Sequence, residues 1–234
     1  MGHRAAIITT TRYQSNADCT FEAKNGGYGW GRVYPNTYLF SLYDQAKDNR
    51  YKDLFIHTFY YNDPKSAKFG QEIPKDLYGT SAGYMEKLHP MSKKHFDQWT
   101  NADQPDRTTS FRDLIVYRLA ETYLLRAEAF LMKGDKEKAA NDINEVRSRA
   151  HTSEVVASEV TIDYILDERA RELVYEEFRR ITLGRLGKYV ERVRKYNTLN
   201  GPRVEDYHEL FPIPYSAIEA NKDAVLEQNP GYKN

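Results

Sequence analysis

Residues 110–150 constrain this chain most, because they carry two helical periods of apolar residues separated by Gly134-Asp135. In the first period Leu114, Tyr117, Leu119, Tyr123, Leu124, Ala127, Phe130 and Leu131 recur as on one side of a helix, not with the alternation of a strand. In the second, Ala139, Ile143 and Val146 share a face. Small Ala127 and Ala139 let two such helices approach closely, while Tyr123, Phe130 and Ile143 fill the groove beside them. A single hairpin of this kind cannot bury its own outer face, so the segment requires partners, elsewhere in the chain or on another.

The order Tyr123, Ala127, Phe130, Ala139, Ile143 is the bulky-small-bulky-small-bulky spacing of a tetratricopeptide repeat over residues 117–150. Arg126 departs from it, standing where such repeats carry leucine. The expected fold class is mostly α: this hairpin and further helices over residues 110–234, preceded by an irregular, loop-rich segment with short strands over residues 1–109. A third helix is expected from Thr161 to about Leu183, with Ile162, Ile165, Leu166, Leu173, Val174 and Phe178 as its stripe. A fourth is expected from Lys188 to Tyr196, and a last helical turn from Tyr215 to Ala220. Pro212 and Pro214 exclude a central strand between them. In the first segment, residues 5–11 are β-prone, residues 37–45 read as a short helix, and Phe55 to Tyr61 reads as a strand ending at Asn62-Asp63-Pro64. The polar stretch from there to Thr109 is too long for a simple linker and is expected to be an ordered, functional loop region.

Several blocks bring a specific resemblance. Arg112-Asp113, then Arg118-Leu119-Ala120-Glu121 and Leu125-Arg126-Ala127-Glu128-Ala129, resemble the SusD/RagB family of outer-membrane nutrient-binding lipoproteins. So do Ile143-Asn144-Glu145-Val146-Arg147-Ser148-Arg149-Ala150 and Ile165-Leu166-Asp167-Glu168-Arg169-Ala170-Arg171-Glu172-Leu173. Leu210-Phe211-Pro212-Ile213-Pro214 and Gln228-Asn229-Pro230-Gly231-Tyr232 match in type and order. The resemblance is close from Arg112 onward and looser before it, and it covers the second half of a typical member. It implies non-catalytic binding of oligosaccharides, or in some members peptides, at the cell surface. The implied partners are a SusC-like TonB-dependent outer-membrane barrel and the N-terminal half of the same protein, whose repeats, export signal and lipidated cysteine are expected outside this sequence.

Composition bounds the alternatives. Lys+Arg and Asp+Glu are equal at 34 each, which argues against a nucleic-acid partner, since that usually demands a basic face. Mean hydropathy is low at −0.77, and 19 Tyr and 10 Phe make up for scarce aliphatics, because each ring buries a large area. Cys19 is the single cysteine, so no internal disulfide forms. Asn16-Ala17-Asp18 before it is not the apolar run that precedes a lipid anchor, so a buried or half-exposed thiol is expected. No apolar run reaches membrane-spanning length, and Met1-Gly2-His3-Arg4 opens no signal-peptide core. Those features alone would suit a cytosolic protein, whereas the resemblance implies the outer-membrane surface.

The best candidate site is the glycine loop Asn25-Gly26-Gly27-Tyr28-Gly29-Trp30-Gly31. Tyr28, Trp30 and Tyr34 sit among glycines that leave ring faces uncovered, and aromatic faces stack on the C–H faces of sugars. Arg32, Asn25 and Asn36 would bond hydroxyls. The competing reading makes Trp30 a plug beneath the loop. Tyr60, Tyr61, Tyr78, Tyr84 and Trp99 form a second aromatic supply, of which Tyr61 and Trp99 are the foremost candidates. No strand-then-helix context surrounds the glycines, so a nucleotide site is not expected. Asp167, Glu168, Glu172, Glu176 and Glu177 all lie on the expected third helix and cannot flank a glycosidic bond from opposite sides. They are expected to form solvated or interhelical ion pairs, Asp167 with Arg171 among them. The histidines, His3, His57, His89, His95, His151 and His208, show no metal-ligand spacing, and no nucleophile elbow is present. No metal, cofactor or catalytic residue is therefore assigned. The competing classes are a pure helical interaction module and, third, a hydrolase.

Overall fold

A computed structural model describes residues 9–78, 88–96 and 108–232. Residues 5–8 of the β-prone stretch expected over residues 5–11, Tyr84 and Trp99 lie outside the described residues, and residues 9–11 form no strand. Among those described, the chain is helical, with eight α-helices and one two-stranded sheet. It divides into two compact units, residues 1–176 and residues 177–234. The change near Ser110 expected from sequence is a change of regular structure; compactness divides the chain elsewhere.

In the first unit, α1 (Thr37–Ser41) starts at Asn36, whose side-chain oxygen accepts the Leu39 N–H at 3.0 Å. Helix α2 (Asn49–Leu54) starts at Asp48 in the same way. The expected strand from Phe55 is short: β1 (Phe55–Ile56) pairs antiparallel with β2 (Met91–Ser92), Phe55 opposite Ser92 and Ile56 opposite Met91. Beyond it the chain forms an irregular hairpin, with Tyr61 N–H donating to Gln71 O and Ile73 N–H to Phe59 O.

The repeat hairpin is α3 (Leu119–Met132) and α4 (Lys136–Arg149). Gly134, at φ 79°, ends α3 in a Schellman turn, with Asp135 N–H donating to Phe130 O and Gly134 N–H to Leu131 O. The Asp135 side chain then caps α4 by accepting the Lys138 N–H. Ala127, Ala139 and Ile143 are fully buried, with Tyr123 and Phe130 packed against them. Helix α3 starts later than the apolar period suggests. Leu114 and Tyr117 are 47% and 81% exposed in a non-helical approach. β-Branched Ile115 and Val116 resist helix there, and Arg118 is held extended by its bonds to Glu172 and Glu176.

The expected third helix is interrupted. Helix α5 (Ile162–Glu172) ends where Arg118 Nη2 and Lys94 Nζ donate to the Glu172 carbonyl at 2.6 and 2.5 Å. Those side chains supply the bonds that a further helical turn would have made. Tyr175 then takes a left-handed φ of 65°. Helix α5 packs on two cores: Ile165 and Leu173 join the hairpin cluster, while Ala170 and Val174 lie against Leu39, Tyr43 and Phe55. A third cluster holds Tyr13, Phe59, Tyr61, Ile73, Leu88, Met91 and Phe96.

The second unit contains α6 (Arg179–Arg185), α7 (Tyr189–Tyr196) and α8 (Tyr215–Ala220). Glu209 caps α7, its carboxylate accepting the Tyr189 and Val190 N–H groups at 3.0 and 2.9 Å. Arg180 lies over two rings, 3.4 Å from the Tyr189 centroid and 4.3 Å from that of Phe211. The two closing sequence blocks are stitched to each other. Gln228 exchanges two bonds with the Ile213 backbone at 2.7 and 2.8 Å, Asn229 donates to Phe211 O, and Tyr232 donates to Leu210 O.

Candidate functional site

The glycine loop is built on a closed turn. Glu22 O accepts the N–H groups of Asn25 and Gly27, and Gly26 and Gly27 adopt φ of 84° and 71°. The chain thereby leaves and re-enters the turn side by side, which sets Phe21 and Tyr28 ring to ring. Their centroids are 5.4 Å apart and their planes 15° from parallel. Phe21 is 39% exposed and Tyr28 half-buried. The sequence reading overlooked Phe21 because it lies outside the glycine run. The signal was its place just before the turn, symmetric with Tyr28 just after it.

The turn is anchored from below. The Tyr13 hydroxyl both accepts the Glu22 N–H and donates to Glu22 O, at 2.7 and 3.0 Å. Asn62 exchanges two bonds with the Thr20 backbone and donates to Glu22 Oε2 at 2.8 Å. Asn25 is buried and donates to the same carboxylate oxygen at 3.2 Å, so it braces the turn from within. Farther along, Gly31 N–H donates to Thr10 O, and Gln14 Nε2 donates to Gly29 O at 2.7 Å. Gly29 rests so closely on Thr11 that a Cβ would lie 2.0 Å from the Thr11 carbonyl oxygen.

The other candidates divide. Trp30 is half-buried, and Arg32 is exposed on the same loop. Tyr34 is half-buried, its ring 5.3 Å from that of His89, and burial raises its hydroxyl pKa. Asn36 spends its side-chain oxygen on capping α1. Tyr61, expected as a ligand-binding candidate, is 7% exposed in the aromatic core, beneath Lys68, whose Nζ is 5.0 Å from the ring centroid. The side-chain alternation of extended chain turns Tyr60 outward instead, at 50% exposure. Tyr78 serves structure, its hydroxyl accepting the Phe59 N–H at 2.8 Å. Cys19 is buried, and burial raises its thiol pKa.

Of the two forms expected for the ion pairs of α5, solvated or interhelical, Glu168 and Glu172 take the interhelical one. Glu168 and Glu172 are 0% and 1% exposed. Glu168 meets Arg50, Arg147 and Arg171; Glu172 meets Arg50, Arg118 and Arg149. The expected Asp167–Arg171 pair is replaced, because Arg171 turns to Glu168 and Asp167 accepts the Tyr38 hydroxyl. Burial alone would raise the Glu168 pKa, but Arg171, Arg50 and Arg147 outweigh it and hold the carboxyl well below its ordinary range. Sealed carboxylates locked to arginines are poor proton donors and cannot reach a substrate. Among the described residues no group of three or more His, Cys, Asp and Glu comes together to hold a metal, and no helix is long and apolar enough to cross a membrane.

A helical-repeat scaffold carrying an aromatic loop is the class these features define. The family model described as the SusD family matches residues 6–232, and the chain belongs to that family. It is 40% identical over 127 residues to the starch-binding protein SusD of Bacteroides thetaiotaomicron, a match covering 52% of this chain and 22% of that protein. It is 31% identical over 146 residues to the SusD-like protein P25 of Formosa agariphila, covering 57% and 27%. Its fold is similar to surface glycan-binding protein A from Bacteroides fluxus, at TM-score 0.62 and 22% identity over 99% of this chain and 46% of that one. It is also similar to surface glycan-binding protein A from Bacteroides thetaiotaomicron in complex with laminarihexaose, at TM-score 0.59 and 22% identity over 96% and 46%. The matched region is thus about a quarter of the curated relatives and about half of these solved structures.

Proposed function

We propose that this chain supplies an aromatic platform for non-catalytic oligosaccharide binding at the outer-membrane surface, for delivery to a TonB-dependent barrel. The observation that carries this reading is the half-open, near-parallel Phe21–Tyr28 pair on the loop that also bears Trp30 and Arg32. Such a surface offers flat apolar area to sugar rings, with a guanidinium nearby for hydroxyls. Relatives named for starch and glycan binding support the ligand class. A peptide ligand, as in some members of the family, is the nearest alternative.

A second reading, an interaction scaffold, rests on a separate observation. Phe111, Leu114, Ile115, Val116, Tyr117 and Leu119 are all exposed in succession around the start of α3. An apolar run of that size normally meets a partner. In a protein of the relatives' length, the preceding half of the chain is the partner we assign to it, with the barrel as the alternative.

A glycan array combined with a hydrolysis assay tests the first reading. Retention of an oligosaccharide without turnover is expected. Sustained hydrolysis, or binding to the purified barrel with no glycan retained, contradicts it.

A further inference from the structure

We propose that His89 is an acid-sensitive latch beneath the aromatic loop, and that its protonation releases the segment from Gly26 to Tyr34. The role in ligand release rests on the glycan reading above; the latch itself does not.

His89 is 5% exposed and sits between two parts of the loop's foundation. Its backbone N–H donates to Thr11 Oγ1 at 3.2 Å, and Thr11 N–H in turn meets Met91 Sδ at 3.3 Å. The opposite side of residues 10–11 carries the loop, through the bond from Gly31 N–H to Thr10 O and the close seat of Gly29 on Thr11 O. The imidazole leans on Tyr34, 5.3 Å between centroids, at the far end of the same loop. Residue 89 therefore meets both parts of that foundation, its backbone at Thr11 under the middle of the loop and its ring at Tyr34 at the exit.

The ring can fill this place only while neutral. Nδ1 lies 3.0 Å from Pro90 O, which assigns the proton to that nitrogen. Nε2 is buried without a hydrogen-bond partner among the described residues. A second proton would place a cation and an unsatisfied N–H donor in the core. Burial accordingly lowers the His89 pKa to about 4, opposed only by the Pro90 carbonyl, with no charged group contributing. Among the described residues Tyr34 is the titratable group against the ring, and its own pKa is raised, so it stays neutral across the acid range. The folded pKa is depressed, so the closed loop is fully supported above the ordinary imidazole value and loses support as pH falls from about 6.5 toward about 4.

Nuclear magnetic resonance on the 234-residue chain tests the latch without ligand. The His89 ring signals are followed from pH 7 to pH 4, together with amide exchange at Gly29 and Gly31. Leu124 and Ile143 in the repeat hairpin serve as controls. The latch predicts a ring midpoint well below that of a free imidazole. It also predicts loop exchange, corrected for intrinsic pH dependence, that rises on the order of a hundredfold over the same range while the controls stay protected. His89→Gln and His89→Phe should flatten that rise. A ring titrating at the ordinary value, a loop that stays closed at pH 4, controls that open together with the loop, or an undiminished rise in both variants overturns the latch. Should both variants fail to fold, coincidence of the ring and loop midpoints in the unaltered chain decides for it, and separation against it. A parallel titration with laminarihexaose should show affinity falling across the same pH range. Absence of binding at pH 7 counts against the glycan reading and leaves the latch to stand on the exchange data.

Discussion

Arg126 shows how a departure from a repeat pattern becomes an interaction. Its guanidinium makes two bonds to Asp142 of α4, at 2.8 and 2.6 Å, and lies over the rings of Tyr123 and Phe130. The pair joins the two helices at the rim of the hairpin, where leucine would only have packed. The small residues at the crossing were legible in sequence because their spacing permits one helix geometry. With Ala127 at 0% exposure, Ala127→Leu should overpack the crossing and destabilise by ~1–3 kcal/mol, read as a lower denaturation midpoint at unchanged m-value. Glu168 was legible only as a charge. Its burial depends on Arg50, which is 118 residues away in the chain, and no local pattern reports that. Glu168→Gln should cost about 3–5 kcal/mol, because it leaves three arginines facing a neutral amide. A variant as stable as the unaltered protein in urea would show the cluster to be dispensable.

At the scale of elements, the helices whose apolar stripe is covered on the spot were readable. Helix α4 and the segment near Tyr189 fall where the periodicity puts them. The misreadings occur where distant side chains end or delay a helix. Lys94 and Arg118 terminate α5 through the Glu172 carbonyl, and Arg118 itself is drawn out of α3. The aromatic loop was legible as a loop from its glycines, but the Phe21–Tyr28 pairing depends on a turn closed by Glu22, Tyr13 and Asn62. Gly29 is a tight point of that loop. Gly29→Ala should lower the melting temperature and destabilise by about 1–3 kcal/mol, since the Thr11 carbonyl is backbone and cannot yield as a side chain would. Calorimetric melting checks this, and an unchanged transition would mean that the loop does not rest on residues 10–11.

For the whole molecule, fold class and family were available in the order of the sequence blocks. The position of the division between compact units was not. Residues 9–78 and 88–96 hold only short helices and one pair of two-residue strands, yet their aromatics and Arg50 pack into the same unit as the repeat hairpin. Irregular backbone is not independent backbone, and composition does not distinguish the two. The exposed strip from Phe111 to Leu119 belongs at this scale also. Light scattering at rising concentration should show association of the isolated chain, reduced by Val116→Lys with Tyr117→Lys. A strictly monomeric chain at all concentrations would mean that the strip is tolerated in water.

The central claim is that the loop bearing Phe21, Tyr28 and Trp30 is a ligand surface and not a plug over the core. Titration calorimetry with the oligosaccharide retained on the array, paired with melting curves, tests it most directly. Phe21→Ala and Trp30→Ala should each weaken binding by about tenfold or more, a loss of about 1.4 kcal/mol, while the melting temperature stays nearly unchanged. Full affinity in both variants, or collapse of the melting temperature in Trp30→Ala, would contradict the account and leave the rings as core.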